Sequence, residues 1–73
     1  MEVVLNSVDK VKTFAKTCSR YEGHVFLKSG RYIIDAKSIM GILSLDLTQP
    51  IKVIFEDESQ KSDFLKNIKE YLV

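Results

Sequence analysis

Strand-like and helix-like patterns alternate along the whole of this 73-residue chain, and this alternation limits the folds open to it. Near the N-terminus, Val3 and Leu5 alternate with more exposed positions, which predicts a short strand. Asn6 and Ser7 are then candidate N-caps for a first helix. Its apolar stripe has the spacing i, i+3, i+4, i+7: Val11, Phe14, Ala15 and Cys18. Gly23 is expected to end this unit as the C′ residue of a helix that closes near Tyr21.

The rest of the chain contains three more strand patterns and two more helix patterns. Residues 24–28 and Tyr32–Asp35 predict two strands joined at the turn signal Ser29-Gly30-Arg31. A short helix is expected after Ser38, and a fourth strand at Ile51–Phe55 follows the break at Thr48-Gln49-Pro50. The final amphipathic helix is expected from its apolar positions, Phe64, Leu65, Ile68, Tyr71 and Leu72.

The element order β-α-β-β-α-β-α predicts a single α+β domain over residues 1–73. Two split β-α-β units imply a four-stranded antiparallel sheet with three helices on one face. The strand residues expected to face the helices are Val3, Leu5, Val25, Leu27, Tyr32, Ile34, Val53 and Phe55. The open face is expected to carry apolar residues too, among them Phe26, Ile33 and Ile54. Residues of these types suit strands in general, but they also suit a homodimer interface.

Charge and cysteine content exclude several classes of function. The net charge of +1 provides no basic excess for binding nucleic acid or an anionic membrane. Cys18 is the one cysteine, so an internal disulfide and a cysteine metal cluster are both excluded, and a cytoplasmic setting is expected. The N-terminus resembles neither a signal peptide nor a membrane span. The acidic run 56–58 lacks ligand spacing and is interpreted as a solvated turn rather than a metal site. No cofactor is expected.

Ser38 has two interpretations that do not exclude each other. It is a good helix N-cap, and a helix start is also a favourable place for a phosphate. The apolar residues after it are too many for one short helix to bury, so some of them are expected to form a docking patch.

The lysine-serine-isoleucine-methionine-glycine run that begins at Lys37 resembles the regulatory-serine region of the HPr family. HPr is the small histidine-containing phosphocarrier of the bacterial sugar phosphotransferase system. The hydrophobic pattern is similar from about Val11 to Phe55, and the element order is that of the HPr open-faced β-sandwich. The resemblance implies that Ser38 is a target of HPr kinase. Phosphoserine would then promote binding to a transcriptional regulator of carbon catabolite repression.

The resemblance also implies a role for each of the residues around Ser38. Ile39, Met40 and Leu43 would form the docking patch, and Lys37 would pair with a phosphate on Ser38. In the same helix region, three apolar residues would turn into the core: Ile42, Leu45 and Leu47.

The histidine that defines HPr has no counterpart at the expected place. In HPr it lies at the start of the first helix, in a glycine-histidine-x-arginine-proline loop. Here Ser7 stands in the position of the histidine, Asp9 in that of the arginine and Lys10 in that of the proline. A phosphohistidine needs an imidazole and nearby positive charge, whereas Asp9 would repel a phosphate. The resemblance therefore predicts a non-catalytic, regulatory or binding member of the family.

Two alternatives remain open from the sequence. The first is a phosphocarrier that receives phosphate from other phosphotransferase-system proteins on His24, the one histidine of the chain. The second is a structural or dimerising domain that uses the open sheet face through Phe26, Ile33 and Ile54.

Overall fold

A computed structural model describes residues 1–56 and 61–72. Its elements follow the predicted order: β1 (Glu2–Val3), α1 (Val8–Cys18), β2 (Val25–Ser29), β3 (Tyr32–Asp35), α2 (Ile39–Leu43), β4 (Ile51–Phe55), α3 (Lys61–Asn67) and a 3₁₀ turn (Lys69–Tyr71). The predicted final helix is thus shorter than its apolar pattern and continues as the 3₁₀ turn. The predicted turn after β4 lies, apart from Glu56, outside the described residues.

The four strands form one antiparallel sheet in the order β1-β4-β2-β3. Together with the three helices, this confirms the predicted α+β fold with an open-faced sheet. The strands β1 and β3 lie at the two edges. The turn between β2 and β3 depends on Gly30, whose φ of 59° is in the left-handed region that favours glycine. None of the described helices is long and apolar enough to cross a membrane.

Helix α1 begins where predicted and ends earlier than predicted. The hydroxyl of Ser7 accepts a hydrogen bond from the backbone N–H of Lys10 at 3.1 Å, which makes Ser7 the N-cap. The expectation of a C′ residue at Gly23 is wrong, because the helix closes at Ser19. The N–H of Ser19 donates to the carbonyl of Ala15, and its hydroxyl donates to that of Lys16 at 2.8 Å. The last turn is therefore satisfied without a left-handed residue.

The core lies between the helices and one face of the sheet. It contains the whole predicted stripe of α1, together with residues from β1, β2, β4 and α3. Tyr32 was expected there, but its side chain is 70% exposed. It lies on the predicted face, at the end of an edge strand beside the hairpin turn, where it pairs with Ser29. Alternation sets the face of a strand residue, but burial also needs a neighbour that covers it.

Apolar side chains on the open face differ in how much solvent they meet. Phe26 and Ile54 are cross-strand partners and are both partly buried. Ile33, on the edge strand, is 59% exposed. Thus, of the three residues proposed for a sheet-face dimer, only Ile33 offers a largely free side chain.

Candidate functional site around Ser38

Ser38 is the N-cap of α2. Its backbone is extended, with φ −96° and ψ 106°, and its hydroxyl accepts a hydrogen bond from the N–H of Gly41 at 3.1 Å. At the other end of the helix, the hydroxyl of Ser44 donates to the carbonyl of Gly41 at 2.6 Å. The side chain of Ser38 is solvent-exposed, so the hydroxyl that caps the helix is also accessible to another protein.

Gly41 makes room for this cap. A β-carbon at position 41 would lie 3.1 Å from the hydroxyl oxygen of Ser38 and 3.4 Å from the Cδ1 atom of Ile34. The first of these distances is tighter than an ordinary van der Waals contact. A glycine at this position therefore allows the serine side chain to fold back onto the first turn.

The helix divides its apolar residues between core and solvent. Ile42 is fully buried and Leu45 is 8% exposed, while Leu47 packs partly buried against the core. On the other side, Met40 is 79% exposed, and Ile39 and Leu43 are each 38% exposed. We call Ile39, Met40 and Leu43 the α2 patch. It directly follows the exposed hydroxyl of Ser38, and methionine at its centre suits a surface that adapts to a partner.

Lys37 is held by the loop that follows α1. Its ammonium donates to the backbone carbonyl of Tyr21 at 2.8 Å and to that of Gly23 at 3.2 Å, in a partly buried position. Its backbone N–H donates to a carboxylate oxygen of Asp35 at 2.8 Å. Pairing of Lys37 with a phosphate on Ser38 would therefore require the ammonium to give up both carbonyls. This engagement was not expected from the sequence, because the partners lie 14 and 16 residues away.

Both acidic residues near Ser38 take part in local turns. Asp35 accepts the Lys37 N–H just described. The carboxylate of Asp46 accepts hydrogen bonds from the hydroxyl of Thr48 at 2.5 Å and from its N–H at 3.0 Å. These bonds hold the pKa of Asp46 below its usual value, so it remains charged at neutral pH.

The start of α1, unlike the start of α2, has an acidic residue in its first turn. The hydroxyl of Ser7 caps the helix, as described above, and Asp9 lies in the first helical turn. A shallow groove beside it is lined by Asp9, Lys10, Thr13, Glu70 and Tyr71. Two carboxylates and one ammonium line this groove, which makes it a poor seat for a phosphoryl group.

His24 lies on the open face, just before β2. Its Nε2 atom is 4.0 Å from a carboxylate oxygen of Glu56, and both side chains are mostly exposed. Its ring stacks on Phe26, with 5.9 Å between the ring centroids. The residues in contact with His24 thus provide a carboxylate and an aromatic ring, neither of which would hold a phosphate.

Among the described residues, Cys18 does not provide a reactive nucleophile and the acidic residues do not provide a metal site. Burial raises the pKa of the Cys18 thiol to about 12, so the thiol is neutral and a poor nucleophile at physiological pH. Within residues 1–56 and 61–72, no group of three histidine, cysteine or acidic side chains could hold a metal ion.

Comparison with known proteins identifies the family. The family model for the HPr component of the phosphotransferase system, described as its phosphorylation site, matches residues 10–73. This chain belongs to the HPr family. The matched region includes the Ser38 segment and His24, but begins after Ser7. A search of curated proteins found no match.

Two solved structures share the HPr fold with this chain. One is HPr-C-His from Thermoanaerobacter tengcongensis, with a TM-score of 0.74 and 24% identity over 94% of this chain and 78% of that one. The other is Crh, the catabolite repression containing protein of Bacillus subtilis, with a TM-score of 0.69 and 23% identity over 100% of this chain and 88% of that one. The Crh structure is described as a domain-swapped dimer.

Replacing the Ser38 cap tests its structural role. We expect Ser38→Ala to lower the free energy of unfolding by about 1 kcal/mol, because Gly41 loses its hydrogen-bond acceptor. Ser38→Asp should stay within a few tenths of a kcal/mol of the unmodified protein, because aspartate is an equally good N-cap. Urea unfolding followed by circular dichroism measures both. Equal losses in the two variants would contradict the capping role.

Replacing Lys37 tests its contact with the α1–β2 loop. Lys37→Met keeps the aliphatic stem but removes both hydrogen bonds to the carbonyls, so we expect a loss of about 1.5–3 kcal/mol in urea unfolding. Lys28→Met is the matched control, since Lys28 is exposed on β2, and it should change stability by less than about 0.5 kcal/mol. Equal stability of the two variants would show that the Lys37 contacts are not maintained in solution.

Proposed function

We propose that this HPr-family chain is a cytoplasmic regulatory domain that binds other proteins and is not a phosphohistidine carrier or an enzyme. The main support is the position of the α2 patch, three exposed apolar side chains directly after an exposed serine. Family membership makes HPr kinase, a catabolite transcriptional regulator and other phosphotransferase-system proteins the natural partners.

The start of α1 supports the non-carrier part of the proposal. Carrier chemistry requires an imidazole nitrogen as nucleophile and donors that hold the phosphoryl group. Ser7 instead uses its hydroxyl to cap α1, and Asp9 adds negative charge beside it. His24, the one imidazole, lies next to the carboxylate of Glu56. The carboxylates of Asp9 and Glu56 therefore disfavour a phosphate at the start of α1 and at His24.

Phosphorylation of Ser38 would change the charge next to the α2 patch. The kinase would transfer the γ-phosphoryl group of ATP to the Ser38 oxygen, which loses its proton, while ADP leaves. The product carries about −1.5 to −2 charge at neutral pH. A partner with an apolar pocket for Met40 and basic groups around it would bind the modified form more tightly. The Lys37 ammonium keeps its hydrogen bonds to the carbonyls of Tyr21 and Gly23, so the partner supplies the positive charge in this proposal.

Incubation with HPr kinase and ATP tests the modification directly. Mass spectrometry should find one phosphate on the unmodified protein, located at Ser38, and none on Ser38→Ala. Ser44→Ala is the matched control, since it alters the exposed serine at the other end of α2, and it should accept phosphate normally. Absence of phosphate from the unmodified protein, or phosphate at another residue, would contradict the proposed regulatory site.

Binding of the phosphorylated protein to a catabolite regulator tests the α2 patch. Met40→Glu should weaken binding at least tenfold, because it places a charge at the centre of the contact. Val8→Glu is the control, since Val8 is 52% exposed on α1 and carries the same apolar-to-acidic change. Equal loss of affinity in both variants, measured by isothermal titration calorimetry, would count against the α2 patch.

A further inference from the structure

The two edge strands of the sheet, β1 and β3, differ in whether another described segment of the chain covers their outer side. The outer side of β1 is covered by the C-terminal segment: the N–H of Val4 donates to the carbonyl of Tyr71 at 2.9 Å, and Val3 bridges to Leu72. Within residues 1–56 and 61–72, no segment pairs with the outer side of β3. An uncovered edge is a ready template for another strand.

The register shows which backbone groups of β3 point outward. The N–H of Ala36 donates to the carbonyl of Val25 at 2.9 Å, so this pair is a hydrogen-bonded one. Hydrogen-bonded pairs alternate with non-bonded pairs along an antiparallel ladder. Ile34 and Tyr32 therefore bond to β2, whereas the backbone groups of Ile33 and Asp35 face away from it. The carbonyl of Asp35 accepts from the N–H of Ser38 at 3.0 Å, but its N–H and both groups of Ile33 remain directed outward.

The side chains of this edge lack the usual protection against pairing. Natural edge strands are often protected by a charge in the middle of the strand. Here the first three residues of the strand, Tyr32, Ile33 and Ile34, are uncharged, and Tyr32 is 70% and Ile33 is 59% exposed. The charges lie only at the ends, with Arg31 before the strand and Asp35 at its last position. This pattern favours association over isolation of the edge.

We propose that β3 pairs antiparallel with β3 of a second copy of this chain, with the two-fold axis at Ile33. This joins the two four-stranded sheets edge to edge. The outward N–H and carbonyl of Ile33 then bond to those of its counterpart, as a hydrogen-bonded pair requires. Tyr32 lies opposite Ile34 on the helix face. Arg31 lies opposite Asp35 at both ends.

A second copy is the occupant because the strand is complementary to itself. An antiparallel alignment centred on Ile33 brings Arg31 and Asp35 together twice, with opposite charges each time. A shift by two residues toward the C-terminus places Ile33 opposite Asp35 and Arg31 opposite Lys37, which removes the Ile33–Ile33 contact and brings two cations together. A shift by two residues in the other direction places Ile33 opposite Arg31, which also removes that contact. The exposed ion pairs contribute little to affinity, so they serve mainly to fix the register.

The interface is small, because β3 has four residues. Interfaces well below about 1,200 Å² belong to weak and transient complexes. The pairing is therefore expected to be concentration-dependent.

Sedimentation equilibrium from about 10 μM to about 1 mM tests the association over the range that weak interfaces require. The unmodified protein should shift from monomer toward dimer, and Ile33→Glu should remain monomeric because it opposes two carboxylates at the axis. Val8→Glu, on the surface of α1, should associate like the unmodified protein. In parallel, the amide of Ile33 should exchange more slowly with solvent deuterium as concentration rises, while the amide of Lys28 serves as a reference on the same sheet.

Charge exchange identifies the register. Arg31→Glu places two acidic residues together at each end of a homodimer, and Asp35→Lys places two basic residues together. Each variant alone should therefore be mostly monomeric, while an equimolar mixture should form a heterodimer with opposite charges at both ends. Because the Asp35 carboxylate also accepts the N–H of Lys37, the folding of Asp35→Lys is checked by circular dichroism; the Arg31→Glu and Ile33→Glu results stand without it.

Three outcomes would overturn the proposal. The first is a monomer at every concentration. The second is a dimer that Ile33→Glu and Arg31→Glu leave intact, as a domain-swapped dimer would. The third is a dimer that depends on Phe26 and Ile54 but not on Arg31, which would indicate packing of the open sheet faces instead.

Discussion

The edge-on contacts of Phe64 hold this small domain together. Its ring lies 6.4 Å from the ring of Phe14 in α1, 4.8 Å from that of Tyr21 in the following loop and 4.9 Å from that of Phe55 in β4, with steep interplanar angles in each case. Such pairs contribute about 0.5–1.5 kcal/mol each beyond the burial of their area. One side chain of α3 thus connects the first helix, a loop and the sheet.

The aromatic cluster also positions the candidate site. Tyr21 packs on Phe64, and its hydroxyl oxygen accepts a hydrogen bond from the side-chain amide of Asn67. The backbone carbonyl of the same Tyr21 accepts from the ammonium of Lys37, the residue before Ser38. The start of α2 is therefore attached to the core through a loop that is distant in sequence. This connection anchors the residue that directly precedes Ser38.

The parts that could be predicted from the sequence depend on local patterns. Strands β3 and β4 have the predicted bounds, and the stripe of α1 is buried, because alternation and helical spacing report which side of an element is apolar. The division of α2 between a buried Ile42 and an exposed Met40 was implied by the resemblance to HPr, not by spacing. The functional role of Ser38 and of the α2 patch stays a prediction.

Other features depended on contacts that the sequence does not display. Tyr32 is on the expected face, yet lies at an uncovered strand end. Gly23 resembled a helix end, but the hydroxyl and N–H of Ser19 had already satisfied the last turn of α1. Lys37 resembled a free phosphate ligand, and its two carbonyl partners belong to a loop that only the tertiary fold brings near. The covering of β1 by the C-terminal segment, and hence the contrast with β3, likewise arises only once the chain is folded.

We propose that this HPr-family chain has a regulatory role in place of phosphohistidine transfer. The most direct measurement offers the protein phosphoenolpyruvate with Enzyme I, and locates any phosphate by mass spectrometry at neutral pH, where phosphohistidine survives. An intact HPr serves as the positive control for transfer. We expect HPr to be labelled and this chain to remain unlabelled. A stoichiometric, acid-labile phosphate on His24 would contradict it and would identify a carrier with a relocated histidine.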